Sequence, residues 1–364
     1  MGTAVTQKER DFSLDFLKAL AIFLVCQTHY MHYANTALDN FVAIASCMGV
    51  PLFFMVNGAL LMNKELDVKR HYKKTFRIFG LCIIWKIISV IVMALVWKKN
   101  VFENGLAQLL NYFIGKNELE GYELGHFWYL YALVGIYTIF PLFKICYDTG
   151  KGRQAIKYVM WILAFFSFGV STLNFLLQLV SYYANWTTEF SFGWITSYYI
   201  FGTYGYCVLW FVLGGILHPK IARLRQDGKY ADKSWICFLI FGIGWLLLFL
   251  MNRFQNVVGE AQGIVVDGYY CIPTLVMCVA IFAGSGLALY GKSNRLILFI
   301  SKNTWGIYML HMLVGTVFLI VQGKYGFPCG IALNLVKSIW MMAASLLMVS
   351  ILKRIPILRG LVTF

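Results

Sequence analysis

Asp15, Lys18 and His29 stand inside an otherwise apolar run, Asp15-Phe-Leu-Lys18-Ala-Leu-Ala-Ile-Phe-Leu-Val-Cys-Gln-Thr-His29. At the centre of a membrane helix an Asp or Lys costs about 2.5–3.5 kcal/mol on insertion scales, so such groups face a cavity or a partner. Near neutral pH an imidazole serves as a general base toward a hydroxyl, or as a nucleophile that takes up an acyl group. Lys18 and His29 are eleven residues apart. On a helix that spacing leaves them about 20° apart in azimuth and about 16 Å apart along the axis. They are expected to line one groove at two depths without touching, with Asp15 one turn below Lys18 and with Lys18 holding an anion. His32 and Tyr33 would extend the same polar face. Two plainer readings stay open: Lys18 reaches headgroups or pairs with Asp15, and His29 makes an interhelical hydrogen bond.

Four further blocks carry polar groups at membrane depth or at its edge. Asn57-Gly58 interrupts a second apolar helix, where Gly permits close approach and Asn bonds across helices. In His71-Tyr-Lys73-Lys74-Thr-Phe-Arg77, Lys74 and Arg77 share a helix face and suit a phosphate, with Lys73 beside them. Ordinary positive charge flanking a membrane helix explains them equally. Gly125-His126-Phe-Trp128 places His126 and Trp128 at an interface, as an aromatic anchor or as the wall of a substrate site. Glu118 and Glu123 precede them in a segment of mixed carboxylates and aromatics. Trp305-Gly-Ile-Tyr308-Met-Leu-His311 puts Tyr308 and another imidazole in an apolar run, with the same ambiguity as His29.

The elements that position these groups follow from composition. The chain has 364 residues, 60% hydrophobic and 13% charged, with mean hydropathy +0.69. A soluble domain carries about 25% charged residues. The expectation is an all-α polytopic membrane protein forming one domain over residues 1–364. Ten spans are expected at 13–34, 41–62, 76–97, 126–146, 157–180, 199–217, 235–252, 269–290, 303–322 and 331–352. No cleavable leader is expected, because Asp15 and Lys18 break the would-be apolar core. No appended soluble domain is expected after the tenth span. The nine Cys lack a CxxC spacing and are expected as buried free thiols, with no metal.

The net charge of +15 has a topological explanation. Lys and Arg cluster at residues 64–77, 144–157, 220–233, 292–302 and 353–359, all connections on the N-terminal side. Only Lys98, Lys99, Lys116, Arg253 and Lys324 fall on the other side, and Lys18, Lys86 and Lys337 lie within spans. Both termini are therefore expected in the cytoplasm of a plasma (inner) membrane protein. The charge is a topogenic and lipid-facing signal, and no nucleic acid partner is expected. Residues 181–198 hold Tyr182, Tyr183, Trp186, Phe190, Phe192, Trp194 and Tyr198 without Lys or Arg, a composition suited to sugar stacking or to an aromatic belt.

Taken in order, the blocks resemble the integral-membrane acyltransferase-3 family. The first helix is similar to that family's D-x-L-R-G-I-A-I-x-x-V-x-x-x-H. Phe53-Phe54-Met-Val-Asn57-Gly58 resembles F-F-x-x-S-G, and Lys74-Thr-Phe-Arg77 resembles R-x-x-R. His126-Phe-Trp128-Tyr-Leu is similar to H-L-W-F-L, and Gly306-Ile-Tyr308-Met-Leu-His311 to G-I-Y-L-x-H. Lys18 and Lys74 replace Arg, and Asn57 replaces Ser. The resemblance implies a ten-helix core moving an acyl group, usually acetyl, from cytoplasmic acetyl-CoA to a hydroxyl of a surface glycan or lipid-linked sugar. It implies His29 as essential for transfer, and Lys18, Lys74 and Arg77 near the CoA phosphates. His126, Trp128, Glu118 and Glu123 would border the acceptor. A transporter of a small anionic or sugar-linked solute, its path lined by polar residues in spans, remains the alternative.

Overall fold

A computed structural model describes residues 10–30, 36–98, 100, 102, 103, 105–115, 125–186, 190–198, 202–226, 230–259, 265–326 and 330–363. Its α-helices are α1 (Phe12–Tyr30), α2 (Ala37–Ala43), α3 (Gly49–Met62), α4 (Val68–Trp97), α5 (Leu106–Ile114), α6 (Trp128–Asp148) and α7 (Gly150–Ala164). They continue with α8 (Val170–Tyr183), α9 (Gly205–Gln226), α10 (Ser234–Val257), α11 (Ile272–Ala288), α12 (Arg295–Tyr325), α13 (Ile331–Leu352) and α14 (Pro356–Val362). There is no strand among the described residues.

Among the described residues, nine helical runs are long and apolar enough to cross a membrane. Two of them are composite. A 3-10 turn at Ile44–Met48 joins α2 to α3, and a π turn at Phe165–Gly169 joins α7 to α8. The expected span at 269–290 is α11, which at 17 residues falls short of that length but is apolar. Three boundaries move for local reasons. Asp67 accepts from the Arg70 N–H and starts α4 eight residues before the expected 76. Helix α9 runs through Pro219 to Gln226, so Lys220, Arg223 and Arg225 sit on its last turns. Asn294 caps α12 by accepting from the N–H groups of Leu296 and Ile297.

Successive spans alternate in direction, so the molecule has a near face, where α1 begins, and a far face, where α1 ends. Helix α1 lies inside the bundle, against α3, α11, α12 and α13. Of these neighbours α12 runs parallel to it, and Ser301 of α12 meets Asp15 near the start of both helices. Helices α3 and α9 approach until backbone nearly meets backbone. A Cβ on Gly58 would lie 1.7 Å from the Phe211 carbonyl oxygen, and one on Gly214 would lie 1.9 Å from that of Met55. Helix α10 instead exposes Trp235, Phe238, Leu239, Ile243, Leu246, Leu247 and Leu250, the apolar face required toward lipid. On the far side α5 is held by Lys86, 1% exposed, whose Nζ donates to the Tyr112 carbonyl and lies over the Tyr112 and Tyr131 rings.

Candidate active site

The beginnings of α1 and α12 bring cations together. A cavity of about 430 Å³ opens there, with Arg10, Lys18 and Lys302 in its wall and no carboxylate among the described residues lining it. Asp15, 3% exposed, stands behind the wall. It accepts two hydrogen bonds from the Arg10 guanidinium and one from the Ser301 hydroxyl. Such a carboxylate is fully engaged, and its pairing orients the Arg10 guanidinium. The bidentate pairing fixes the guanidinium plane and leaves the remaining positive charge, with Lys18 and Lys302, toward the cavity. This arrangement suits a polyanion.

Deeper in, the lining turns aromatic and neutral: Phe53 and Val56 of α3, Tyr129, Leu130, Leu133 and Tyr137 of α6, and Trp305 and Tyr308 of α12. Asn57 joins these helices. Its Nδ2 donates to the Tyr129 hydroxyl at 3.2 Å, and its Oδ1 accepts from the Tyr137 hydroxyl at 3.1 Å. Tyr129 and Tyr308 face each other with ring centroids 5.4 Å apart and form the inner end of the cavity. The Tyr308 hydroxyl donates to the His126 carbonyl, tying α12 to the turn that starts α6.

Beyond this pair lie three imidazoles. The rings of His29 and His311 are 5.3 Å apart, those of His29 and His126 5.8 Å, and those of His126 and His311 4.9 Å. Tyr308 touches two of them, at 5.5 Å from each of His126 and His311. His311 is 0% exposed and His126 3%. The Nδ1 of His311 lies 2.5 Å from the Tyr308 carbonyl oxygen. A carbonyl only accepts, so Nδ1 carries the proton and Nε2 presents a lone pair. That Nε2 and both ring nitrogens of His126 are buried without a hydrogen-bond partner among the described residues. Buried polar groups are otherwise nearly always paired, so three such nitrogens in one place stand out among the described residues.

Lys18 lines the cavity, and His29 sits past its inner end with the other imidazoles, so the α1 groups act at two depths. Asn57 and Tyr308 line the cavity, while His126 and His311 join His29. Trp128 diverges from His126: it stacks on Tyr204 at 5.2 Å and contacts Tyr269 at 5.7 Å, on the far face. Lys73, Lys74 and Arg77 are exposed on α4 and do not line the cavity. Arg77 instead donates to the carbonyls of Gly360 and Thr363 at 3.4 and 2.9 Å, and Thr363 is part of the cavity wall. Trp85 and Trp305 donate to the Leu361 carbonyl, so the segment containing α14 is clasped by three side chains over the mouth. Glu118, Glu123, His32 and Tyr33 lie outside the described residues.

Sequence reasoning did not single out Arg10, Lys302, Tyr129 or the segment that contains α14. The nearest signals were the acidic residues flanking Arg10 and the position of Lys302 two turns before Tyr308. Among the described residues no group of three or more His, Cys, Asp or Glu has an arrangement that holds a metal ion.

The family model described as an acyltransferase domain, acyltransferase-3, matches residues 11–354. No curated protein and no solved structure gives a match to the chain. The matched range takes in every span and every imidazole of the cluster. The chain is a multi-pass membrane acyltransferase and belongs to the acyltransferase-3 family.

Proposed function

We propose that the chain moves an acetyl group from acetyl-CoA, entering at the near face, to a hydroxyl of a surface glycan or lipid-linked glycan precursor at the far face. The near face is read as cytoplasmic, in the plasma membrane of a bacterial-type cell, because the connections on that side carry most of the Lys and Arg. The observation that carries the proposal is the convergence of His29, His126 and His311 immediately behind the tyrosine end of a cation-walled cavity. Arg10, Lys18 and Lys302 would hold the phosphates of the donor. The narrower aromatic part, between Tyr129, Tyr137 and Tyr308, suits the thinner thioester arm. The acceptor oxygen then attacks the thioester carbonyl carbon, a C–O bond forms, the C–S bond breaks, and CoA leaves as the thiol. An imidazole of the cluster takes the acceptor proton and passes it to the departing sulfur, and His29 is assigned this role. His311, with Nδ1 tied to a carbonyl, offers Nε2 as the companion acceptor.

The test uses purified protein and acetyl-labelled CoA, with mass spectrometry of surface glycans from cells with and without the gene. Wild type should add one acetyl mass to a glycan, and His29→Ala should abolish the transfer while inserting normally. Full transfer by His29→Ala removes the assigned role. Solute flux without consumption of acetyl-CoA removes the whole reading in favour of transport.

A further inference from the structure

A second cavity, about 500 Å³, opens on the far face between the end of α8, the end of α10 and the turn before α11. Ligand pockets commonly measure about 300–1,000 Å³. Its wall combines Tyr182, Trp186 and Phe190 with Asn174, Gln178, Ser181, Ser191 and Asp267. The three aromatic side chains are exposed, 48%, 52% and 57% respectively. Their placement is built in. Asn185 takes the left-handed conformation, φ 48°, that ends α8 and turns the chain back, so that the Trp186 N–H donates to the Ser181 carbonyl. Asn174 accepts from the Phe192 N–H at 2.8 Å and pins the returning strand of chain onto α8. Asp267, at φ 59°, accepts from the Tyr270 hydroxyl, and Gln255 accepts from the Val266 N–H.

The charge of this wall selects its ligand. It holds no Lys, Arg or His among its described residues, and its one ionisable acid is Asp267. Phosphates and carboxylates are therefore disfavoured, in direct contrast to the near-face cavity with its three cations. Exposed aromatic faces beside amide, hydroxyl and carboxylate groups match a neutral sugar. The electron-rich rings meet its C–H face, and the polar groups meet its hydroxyls. An aromatic run also leads from the cavity wall toward the imidazoles as far as Trp128. Asp267 holds Tyr270, Tyr270 packs on Tyr206 at 4.7 Å, and Tyr206 and Tyr269 both contact Trp128, two residues from His126.

We infer that the α8–α10 cavity is a binding subsite for a neutral oligosaccharide segment of the acceptor, which extends along the Tyr270–Tyr206–Trp128 run toward the transfer centre. This rests on the glycan acceptor named in the proposed function. Trp186 and Tyr182 stack on the sugar, and Asp267 accepts from its hydroxyls.

The test is saturation-transfer NMR on the full chain in lipid nanodiscs, with two neutral probes, a β-linked N-acetylglucosamine hexamer and a glucose hexamer, and with inositol phosphate as the anionic probe. Transfer to the ring protons of at least one sugar is expected, and none to inositol phosphate. Trp186→Ala should weaken sugar binding roughly fivefold. Asp267→Asn, which keeps a residue tolerant of the left-handed backbone, should weaken it by up to about tenfold. Trp235→Ala, on the lipid-facing side of α10, should leave it unchanged. No transfer to either sugar in the wild type, unchanged binding in both cavity variants, or stronger binding of inositol phosphate overturns the subsite. The assay does not depend on acyl transfer. Loss of sugar binding with acetyl-CoA turnover intact counts against the subsite alone, and absent acetyl-CoA turnover with sugar binding intact counts against the donor reading alone.

Discussion

At the scale of single residues, the near-face cavity divides its cations by how each is held. Arg10 is locked in a bidentate pair with Asp15, whereas Lys18 lines the same cavity with no carboxylate within ion-pair distance among the described residues. Lys18→Ala should therefore raise KM for acyl-CoA by roughly tenfold or more, the worth of a charge-assisted hydrogen bond. Lys18→Arg should lie near wild type, because charge rather than planar geometry is required. Steady-state kinetics at varied acyl-CoA decides it, and equal losses in both variants would argue against a charge role. Sequence spacing on α1 alone put Lys18 and His29 at two depths of one helix. It held no information that His126 and His311, far away in the chain, would close around His29, because each sits on a different helix and only packing joins them. The partner of Arg77 was hidden for a related reason. A basic pair at a helix start looks the same whether it faces a phosphate or the carbonyls of a distant C-terminal helix.

At the scale of elements, hydropathy located the spans because each needs about twenty apolar residues, a signal local to the segment. Boundaries moved where caps act: Asp67 lengthens α4 and Asn294 starts α12 before its apolar stretch. The closeness of α3 and α9 was only hinted at by Asn57-Gly58, because its other half, Gly214-Gly215, lies in a span rich in Gly and Tyr whose glycines do not stand out. That contact separates two superficially alike glycines. Gly58→Ala would drive a methyl group into the Phe211 carbonyl, whereas a Cβ on Gly80 of α4 meets nothing within 4 Å. Gly58→Ala should cost about 1–3 kcal/mol by overpacking, and Gly80→Ala should show no loss, since Ala is the better helix former. Thermal unfolding of the purified variants measures both. Because Asn57 holds Tyr129 and Tyr137 from the adjacent position, Gly58→Ala should also lower acyl transfer, while Gly80→Ala should not.

At the scale of the whole molecule, opposite faces offer opposite chemistries, a cationic cavity near and an aromatic one far without a cation among its described residues, with the imidazoles between them. Holding that layout requires the near ends of helices distant in sequence to stay in register, and Asp11 links two of them. Just before α1, it accepts from Arg225 at 2.8 Å and lies 3.1 Å from His218 Nε2, both on α9. Burial raises the pKa of this carboxyl, but the hydrogen bonds from His218, Arg225 and Ser13 outweigh burial and hold it well below the usual carboxylate range. A folded-state pKa below the unfolded value means that stability is present in full above the unfolded pKa, about 3.9, and is lost as pH falls through the folded value. Asp11→Asn should therefore be less stable than wild type by about 1–3 kcal/mol at neutral pH. The gap should stay level down to about pH 5 and narrow progressively below about pH 4, as protonation of Asp11 makes the wild type resemble the variant. Melting curves of both proteins from pH 3 to pH 8 measure this, and a gap that widened on acidification would show that Asp11 does not carry the link between α1 and α9.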